Sequence, residues 1–498
     1  MTAVPLPEND NQTGLGARAA RGAAVTLGAQ GAKVLVQVAS VVVLARLLTP
    51  HDYGLIAMVV AIIGVGEIFR DFGLSSAAIQ AKTLSRNQRG NLFWINTAIG
   101  VVLAAAVYAS AGLLALVYGE DELVAIAQTL SLTFLFNGLA TQYRADLIRN
   151  LRFASLARAD VAAPVVALGA AIIAAVSDLG YWTLVVQQLT QALVLLVMLA
   201  AAARWLPGLP RRGVPMRGLL KFGWNLVASQ LVGYISNNLD SVLIGLRFGA
   251  GPLGIYNRAF QLLMTPLGQI RSPLTTVALP VLTRLADDDR RFGNYVAGGQ
   301  LALGYSVVAA LGIVVGTAEP LTLLFLGEPW VGVAPILRLL AVAGIFQILA
   351  FVGYWVYVSR GLTGDLLRYS LVSAAIKVTC ILVGSLWGVI GIAAGYALAP
   401  ALSWPISFWW LSRRTTIPIR RLYAGAFRIV TMVIVASAAS VATASALEGW
   451  GIVGQVLIAC AVQTAVYGTA AWTVPHIRRD LASVLAMIRM IRTARSAH

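Results

Sequence analysis

Nine charged side chains lie inside apolar segments long enough to cross a membrane, and they are the residues most able to do chemistry. The six cations are Lys33, Arg70, Arg258, Arg271, Arg338 and Lys377, and the three acids are Glu67, Asp71 and Asp240. A charge at the centre of a bilayer costs about 2.5–3.5 kcal/mol on insertion scales, so such groups usually face a bundle interior or a water-filled pathway. The excess of cations favours binding of an anionic group there.

Three of these residues share one face of a helix. Glu67, Arg70 and Asp71 follow an i, i+3, i+4 pattern, which brings their side chains together. Two interpretations stay open. They can form a self-neutralising structural cluster, or Arg70 can bind substrate while Glu67 and Asp71 bind a coupling proton or sodium ion.

The other buried charges sit on separate segments. Lys33 lies about 15 Å into the first span, Arg271 has no acid on its own segment, and Arg258 and Arg338 are near enough to a surface to snorkel. Lys33, Arg70 and Arg271 are expected to face a shared central cavity. Lys377 faces either that cavity or a neighbouring helix.

The segment containing Asp240 is unusually polar. Asn237 and Asn238 precede this acid, and their side chains serve either hydrogen bonding between packed helices or a polar pathway. The candidate substrate-binding residues are therefore Lys33, Arg70, Arg258, Arg271, Asn237 and Asn238. The candidate ion-coupling residues are Glu67, Asp71 and Asp240.

Catalytic chemistry has little support in the sequence. The three histidines are scattered without metal-ligand spacing, and the two cysteines lie in apolar runs, so neither a metal site nor a disulfide framework is expected. The run Asp287-Asp288-Asp289 resembles a metal–nucleotide-sugar motif but stands in a short basic loop with no domain around it. No phosphate-binding loop of the Walker type is present. We expect no enzyme, no catalytic or metal residues and no bound cofactor.

The elements that must position these charges are transmembrane helices. Of the 498 residues, 59% are hydrophobic and 11% are charged, and the mean hydropathy is +0.80, which excludes a water-exposed globular surface. Apolar runs predict fourteen spans in an all-α, polytopic protein. The spans are predicted at roughly 23–45, 54–80, 92–118, 123–143, 159–177, 180–203, 219–246, 253–282, 295–318, 331–358, 367–386, 389–411, 424–447 and 451–475.

The distribution of basic residues predicts the orientation. If both termini are cytoplasmic, 29 of the 37 lysines and arginines fall on the cytoplasmic side, two on the other side and six within spans. Cytoplasmic loops carry such an excess in membrane proteins. This also explains the net charge of +17 without nucleic acid. We therefore predict a multi-pass membrane protein with both termini in the cytoplasm.

A weak internal repeat divides the chain. Residues 45–55 align with residues 245–255 at an offset of 200, with Gly54 and Gly254 in register. Two six-helix lobes related by an axis along the membrane normal would give this pattern. The predicted segments are a cytoplasmic tail at 1–22, an N-lobe at 23–205, a C-lobe at 206–411, two further spans at 412–475 and a basic amphipathic tail at 476–498, expected on the inner leaflet.

Several stretches resemble a known family. They are residues 43–58 (VLARLLTPHDYGLIAM), 71–80 (DFGLSSAAIQ), 221–223 (KFG), 238–240 (NLD), 253–259 (LGIYNRA) and 279–280 (LP). The sequence is similar here to bacterial polysaccharide flippases, the polysaccharide transporter branch of the multidrug/oligosaccharidyl-lipid/polysaccharide exporter superfamily, of the colanic-acid and teichuronic-acid type. The resemblance covers about the first 290 residues well and the rest by topology.

The resemblance implies a substrate and a route. Members move undecaprenyl-pyrophosphate-linked oligosaccharide from the inner to the outer leaflet by alternating access, within two lobes around a cationic cavity. Glycosyltransferases and a polysaccharide polymerase would be partners alongside membrane lipids. A peptidoglycan-precursor flippase and a cation-coupled multidrug exporter are the sibling alternatives. A membrane enzyme of glycan polymerisation is the alternative from another class, and it would need a large extracytoplasmic loop that the sequence lacks.

Overall fold

The structure is a computed structural model that describes residues 10–71, 85–211, 217–447 and 451–496. Contacts between residues divide the chain into two compact units, Met1–Gly254 and Ile255–His498. Every regular element in the described ranges is helical. We describe each unit by itself.

The first unit contains eight helices and the first turn of a ninth. They are α1 (Asp10–Ala45), α2 (Pro50–Asp71), α3 (Arg86–Tyr118), α4 (Glu122–Leu130), α5 (Leu132–Arg149), α6 (Phe153–Val176), α7 (Trp182–Ala203), α8 (Arg217–Phe248) and α9 (Ala250–Arg284). The predicted span at 123–143 is thus two helices, α4 and α5, which meet at Ser131. Helix α8 packs against α2 in this unit. The predicted lobe boundary at 205/206 stays a prediction.

The second unit contains the rest of α9 and eight further helices. They are α10 (Asp289–Leu303), α11 (Ala309–Phe325), α12 (Val333–Ser359), α13 (Thr363–Gly384), α14 (Gly388–Ser412), α15 (Ile419–Ala446), α16 (Ile452–Thr473) and α17 (Pro475–Ser496). A π-helical turn, Gly304–Val308, joins α10 to α11, so these two helices form one membrane-length segment. Helix α9 is continuous through Pro266, Pro273 and Pro280.

The helices have the length and composition of membrane spans. Eleven helical stretches of the described residues are long and apolar enough to cross a bilayer, and one of them, Thr363–Ser412, holds both α13 and α14. If α13 and α14 are counted separately and the polar helices α8 and α9 are added, the described part of the chain has fourteen membrane-length segments. The all-α, polytopic fold is confirmed. The part of the second predicted span beyond Asp71 lies outside the described residues.

Two short turns of the first unit pack against each other through glycine. A Cβ atom on Gly54 of α2 would lie 1.7 Å from the carbonyl oxygen of Ala250, and a Cβ atom on Gly254 would lie 1.8 Å from that of Pro50. The contact is reciprocal at the offset of 200, because Pro50 corresponds to Ala250 and Gly54 to Gly254. Such an isologous contact is what a two-fold relation between the two turns produces. The geometry of these turns thus agrees with the repeat seen in the sequence.

Helices α13 and α14 also depend on glycine. A Cβ atom on Gly384 would lie 2.2 Å from the carbonyl oxygen of Gly391, and one on Gly395 would lie 2.2 Å from that of Cys380. Only glycine allows two backbones to approach this closely. The close crossing fixes which side chains of α13 and α14 face each other, and it therefore helps to position Lys377 and Tyr396.

The C-terminal helix α17 is tied to its own unit by one carboxylate. Asp480 accepts three hydrogen bonds from the guanidinium of Arg428 on α15, at 2.7–2.9 Å, and one from the hydroxyl of Tyr305 at 3.1 Å. Charge-assisted, bidentate bonds of this kind fix orientation as well as distance. The neighbouring Arg478 and Arg479 are exposed. Contact between α17 and an inner leaflet stays a prediction.

Candidate functional site

Arg271 of α9 is the centre of a first group of side chains, which we call the arginine cluster. Its guanidinium donates a hydrogen bond to the side-chain oxygen of Gln347 on α12 and lies 5.8 Å from the ring centre of Phe351 on the same helix. Its Nε atom is buried and forms no hydrogen bond with any described residue. A buried N–H donor without an acceptor is costly, so an anionic oxygen that reached this atom would relieve that cost.

Lys377 of α13 belongs to a second group, the lysine cluster. Its ammonium lies 4.7 Å from the ring centre of Tyr396 on α14, and Phe260 of α9 packs edge-on against the same ring at 5.8 Å. Lys377 thus contacts a neighbouring helix.

The charge balance of the helices around both clusters is one-sided. Helices α9, α12 and α14 contain no aspartate or glutamate, and α13 contains only Asp365. Asp365 lies near the start of α13, where it accepts a hydrogen bond from Trp410 and forms ion pairs with Arg368 and Arg414. The cations of the arginine and lysine clusters are therefore not neutralised by acids on their own helices. This arrangement suits an anionic ligand.

Arg258, the other candidate on α9, is packed differently. Only 4% of its surface is exposed, its Nη1 donates to Gln261 at 3.0 Å, and it lies 6.0 Å from the ring centre of the buried Trp330. Arg338 of α12 pairs with Glu319 at 3.7 Å. The described contacts of Arg258 are therefore protein contacts, and they do not bring it into the arginine cluster.

In the first unit, Glu67 and Arg70 form an ion pair with Nε–Oε2 separation 2.6 Å. Helix α5 completes the group: Asn137 donates to Glu67 at 2.9 Å, and Arg70 donates to the backbone oxygen of Asn137 at 3.3 Å and to the hydroxyl of Thr141. We call these four residues the α2–α5 cluster. The charges of Glu67 and Arg70 balance within it, as the structural interpretation expects. The side chain of Asp71 lies outside the described residues.

The remaining candidates of the first unit are not brought into one group. Lys33 is half-buried on α1 and forms no hydrogen bond or ion pair with any side chain that the structure describes. On α8, Asp240 is 1% exposed and accepts a hydrogen bond from the backbone of Ser241, while Asn238 donates to the backbone of Tyr234 and Asn237 is exposed. A cavity shared by Lys33, Arg70 and Arg271 stays a prediction.

The acidic run between α9 and α10 has structural roles. Asp288 caps the start of α10 by accepting a hydrogen bond from the backbone of Arg291, and Asp289 pairs with Arg360, which also donates to the carbonyl of Ala286. Within the described ranges, no group of three histidine, cysteine, aspartate or glutamate residues could hold a metal ion. The run therefore acts as a solvated loop that is tied to the end of α12.

Several residues of these clusters gave no signal in the sequence. Asn137, Thr141, Gln347 and Tyr396 are single polar or aromatic residues in apolar helices, and their role depends on which helices meet. The polarity of Gln347 in the middle of α12 was the one available hint, because a buried amide needs partners. Taken together, the second unit offers two cations, an amide and aromatic rings, which can bind an anion that carries an apolar face.

Comparison with known proteins places the chain in a family. A family model described as polysaccharide biosynthesis protein matches residues 43–335. The lipopolysaccharide biosynthesis protein WzxC of Escherichia coli is 24% identical over 374 residues, which is 74% of this chain and 75% of that protein. The teichuronic acid biosynthesis protein TuaB of Bacillus subtilis is 30% identical over 287 residues, 57% of this chain and 59% of that protein.

A solved structure shows the same fold. The lipid II flippase MurJ, in an inward closed conformation, superimposes with a TM-score of 0.68 at 13% identity, over 90% of this chain and 98% of that one. This likeness concerns the fold alone. Because the family model covers more than half of the sequence, the chain belongs to the polysaccharide biosynthesis protein family, as its sequence motifs predicted.

Proposed function

We propose that the protein is a flippase that translocates an undecaprenyl-pyrophosphate-linked oligosaccharide from the inner to the outer leaflet of the bacterial plasma membrane. The observation that carries the proposal is Arg271, a half-buried cation with an unused Nε donor on a helix that contains no acid. The names of the relatives refer to polysaccharide biosynthesis, and the fold is similar to that of the lipid II flippase MurJ, which supports the proposal. The product would serve assembly of a cell-surface polysaccharide.

Arginine suits the pyrophosphate for a physical reason. Its planar guanidinium presents several N–H donors that match phosphate oxygens, and charge-assisted bonds of this type are about twice as strong as neutral ones. Where little water reaches, a doubly charged head group needs such fixed donors. Gln347 holds one edge of the guanidinium of Arg271, which leaves the Nε edge for the head group.

Translocation would proceed by alternating access without ATP. The reciprocal contact of Gly54 and Gly254 would close the extracytoplasmic end when the substrate enters from the cytoplasm, and it would open for release. The charge asymmetry of the loops predicts that both termini lie in the cytoplasm. If transport is coupled to a proton or a sodium ion, Glu67, Asp71 and Asp240 are the acids that would bind it. Glycosyltransferases and a polymerase would act before and after this step.

The sibling functions fit the observations less well. A multidrug exporter that takes up cations would need acids, whereas the helices around Arg271 and Lys377 carry mainly basic charge. A peptidoglycan-precursor flippase shares the fold, and its substrate would be equally anionic. The names of the sequence relatives favour surface polysaccharide over peptidoglycan. Deletion of the gene would discriminate, because loss of a surface polysaccharide leaves cells viable when no toxic intermediate builds up.

Substitution of Arg271 tests the proposal. In cells that lack the chromosomal copy, Arg271→Ala should lower the rate of polysaccharide export roughly 10- to 100-fold, because loss of a hydrogen bond to a charged group costs about 1.5–3 kcal/mol. Arg271→Lys should retain part of the rate. The control is Arg338→Gln, which removes a cation of α12 that is paired with Glu319. Wild-type export by Arg271→Ala at equal protein abundance would contradict the proposed role.

A further inference from the structure

We propose that residues 204–211 form a membrane anchor, whose leucines insert between the lipid head groups and first acyl carbons of the inner leaflet. This segment, which we call the leucine loop, has the sequence RWLPGLPR and follows helix α7 directly. The side of the membrane is taken from the predicted orientation of the chain. The inference is independent of the substrate that is transported.

Two leucines of this loop are the most exposed large apolar residues that the structure describes. Leu206 is 88% exposed and Leu209 is 84% exposed. Each precedes a proline, which disfavours a helical conformation, and the segment has no regular secondary structure. The flanking Arg204 and Arg211 are exposed as well. Exposed apolar side chains beside cations are typical of segments that contact a membrane surface.

The second half of the leucine loop is held by hydrogen bonds to the start of α3. The side-chain amide of Asn91 donates to the carbonyl oxygen of Arg211 at 2.8 Å and accepts from the N–H of the same residue at 2.9 Å. The indole N–H of Trp94 donates to the carbonyl oxygen of Gly208 at 2.8 Å. These three bonds satisfy backbone groups that no regular secondary structure provides for. The leucines are therefore presented by a fixed backbone.

Trp205 holds the first half of the loop. Its ring centre lies 5.1 Å from that of Tyr143 on α5, and the guanidinium of Arg89 on α3 lies 4.2 Å from it. One apolar residue of the loop thus packs against the helices of its own unit, whereas the adjacent Leu206 does not. The leucines are left for a surface outside this chain to cover.

The level of the loop along α3 indicates that this surface is lipid. Helix α3 is polar from Arg86 to Asn91 and apolar from Leu92 onward, so its cytoplasmic boundary with the membrane lies near these residues. The hydrogen bonds of Asn91 and Trp94 hold the loop at this boundary. The membrane-length helix α7 also ends immediately before the loop. Both helices place the leucines at the depth where tryptophan, arginine and leucine are favourable together.

Fluorescence quenching in liposomes tests the proposal. The full-length protein, in a background without Cys380 and Cys460, carries a fluorophore on Leu206→Cys or on Leu209→Cys. Lipids with a nitroxide on the first acyl carbons should quench both labels about twofold or more, because interfacial segments lie roughly 5–10 Å into the boundary between head groups and acyl chains. Iodide in the aqueous phase should quench both labels weakly.

Two further labels calibrate the quenchers. Asp287 is exposed in the solvated loop between α9 and α10, and Leu457 is 64% exposed in the membrane-length helix α16. A label at 287 should respond to iodide alone, and a label at 457 should respond to the lipid quencher alone.

The outcomes are distinct. If the labels at 206 and 209 respond to iodide alone, as at 287, the anchor is refuted. Labels that iodide reaches in liposomes but not in native membrane vesicles would show that a protein partner covers the loop, which also overturns the proposal. Asn91→Ala removes two of the three bonds to the loop and should increase iodide quenching at 209. Unchanged quenching there would overturn the role of α3 in setting the depth of the leucines.

Discussion

At the scale of single residues, the charges of Arg70 and Arg271 are accommodated in opposite ways. Glu67 and Arg70 satisfy each other, and Asn137 and Thr141 take up their remaining hydrogen-bonding groups. Arg271 has an amide and a ring as its described neighbours, and one of its donors is unused. Charge that is balanced locally stabilises a bundle, whereas unbalanced charge is available to a ligand.

The α2–α5 cluster should therefore govern stability more than transport. Arg70→Ala leaves the carboxylate of Glu67 without its cation, so it should lower the free energy of unfolding by about 1.5–3 kcal/mol. The double variant with Glu67→Gln should lose less than the sum of the two single variants, because the orphaned charge is then removed. Thermal unfolding of the purified proteins in detergent measures both effects. Additive losses would show that the pair is not coupled.

The sequence identified the charges of these clusters but not their partners. Charged residues are visible in apolar segments because they are rare there, and the spacing of Glu67 and Arg70 predicted their contact within one helix. Tyr396 and Gln347 could not be assigned, since their role depends on how α9, α12, α13 and α14 cross. Lys377 illustrates the limit: its depth could be predicted, whereas its contact with α14 required the structure.

At the scale of elements, glycine determines where helices approach closely. The turns around Gly54 and Gly254 pack at distances that leave no room for a Cβ atom, and each glycine contacts the residue equivalent to the other's partner. Membrane helices associate through small residues because packing, more than the hydrophobic effect, holds them together. A contact made by two small, rigid surfaces is also one that can separate without breaking many hydrogen bonds.

Alanine at either glycine should weaken this contact to a similar extent. Gly54→Ala and Gly254→Ala each force the turns apart at a cost of about 1–3 kcal/mol, enough to reduce the population of the closed arrangement roughly tenfold. Both variants should reduce export. A cysteine in place of Ala250, which is 2% exposed, should become more reactive toward a thiol reagent when Gly54→Ala is present.

Gly251→Ala is the matched control for these substitutions. A Cβ atom at Gly251 meets nothing within 4 Å, although the residue is in the same helix turn as Ala250 and Gly254. Its export and labelling should equal those of the wild type. Unequal effects of Gly54→Ala and Gly254→Ala would argue against a two-fold contact, and unchanged export in both would remove this contact from the transport cycle.

The existence and order of the helices could be predicted because hydropathy alone determines which segments enter a membrane. The predicted span at 253–282 and the observed α9, Ala250–Arg284, differ by a few residues only. The break at Ser131 was missed, because the apolar run continues through it without glycine or proline. Helix α9 remains helical through Pro266, Pro273 and Pro280, although each proline removes a backbone hydrogen bond.

At the scale of the whole molecule, the distribution of basic residues predicts the orientation in the membrane. The 29-to-2 partition of lysine and arginine between the two predicted sides is the largest bias in the sequence. It predicts that single cysteines at Asp121 and at Arg211 lie on opposite sides of the membrane. In a background without Cys380 and Cys460, the cysteine at 121 should react with an impermeant thiol reagent in intact cells. The cysteine at 211 should react only after permeabilisation, and equal labelling of both would refute the topology.

The membrane potential favours the proposed direction of transport. When an anionic head group moves outward across an inside-negative membrane, its electrostatic free energy falls by about 2.3 kcal/mol per charge per 100 mV. This gain can drive net export without nucleotide, unless a coupled ion cancels the charge that moves. Arg271 would lower the barrier for that charge, as fixed cations do in anion pathways.

The central claim is tested most directly in liposomes that contain only the purified protein and a fluorescent undecaprenyl-pyrophosphate-linked oligosaccharide. A membrane-impermeant quencher reports how fast the labelled glycan changes sides. The account predicts movement faster than in empty liposomes, without ATP, that responds to an imposed potential and slows roughly 10-fold or more in Arg271→Ala. Movement no faster than in empty liposomes, or an equal rate in the wild type and Arg271→Ala, would contradict it.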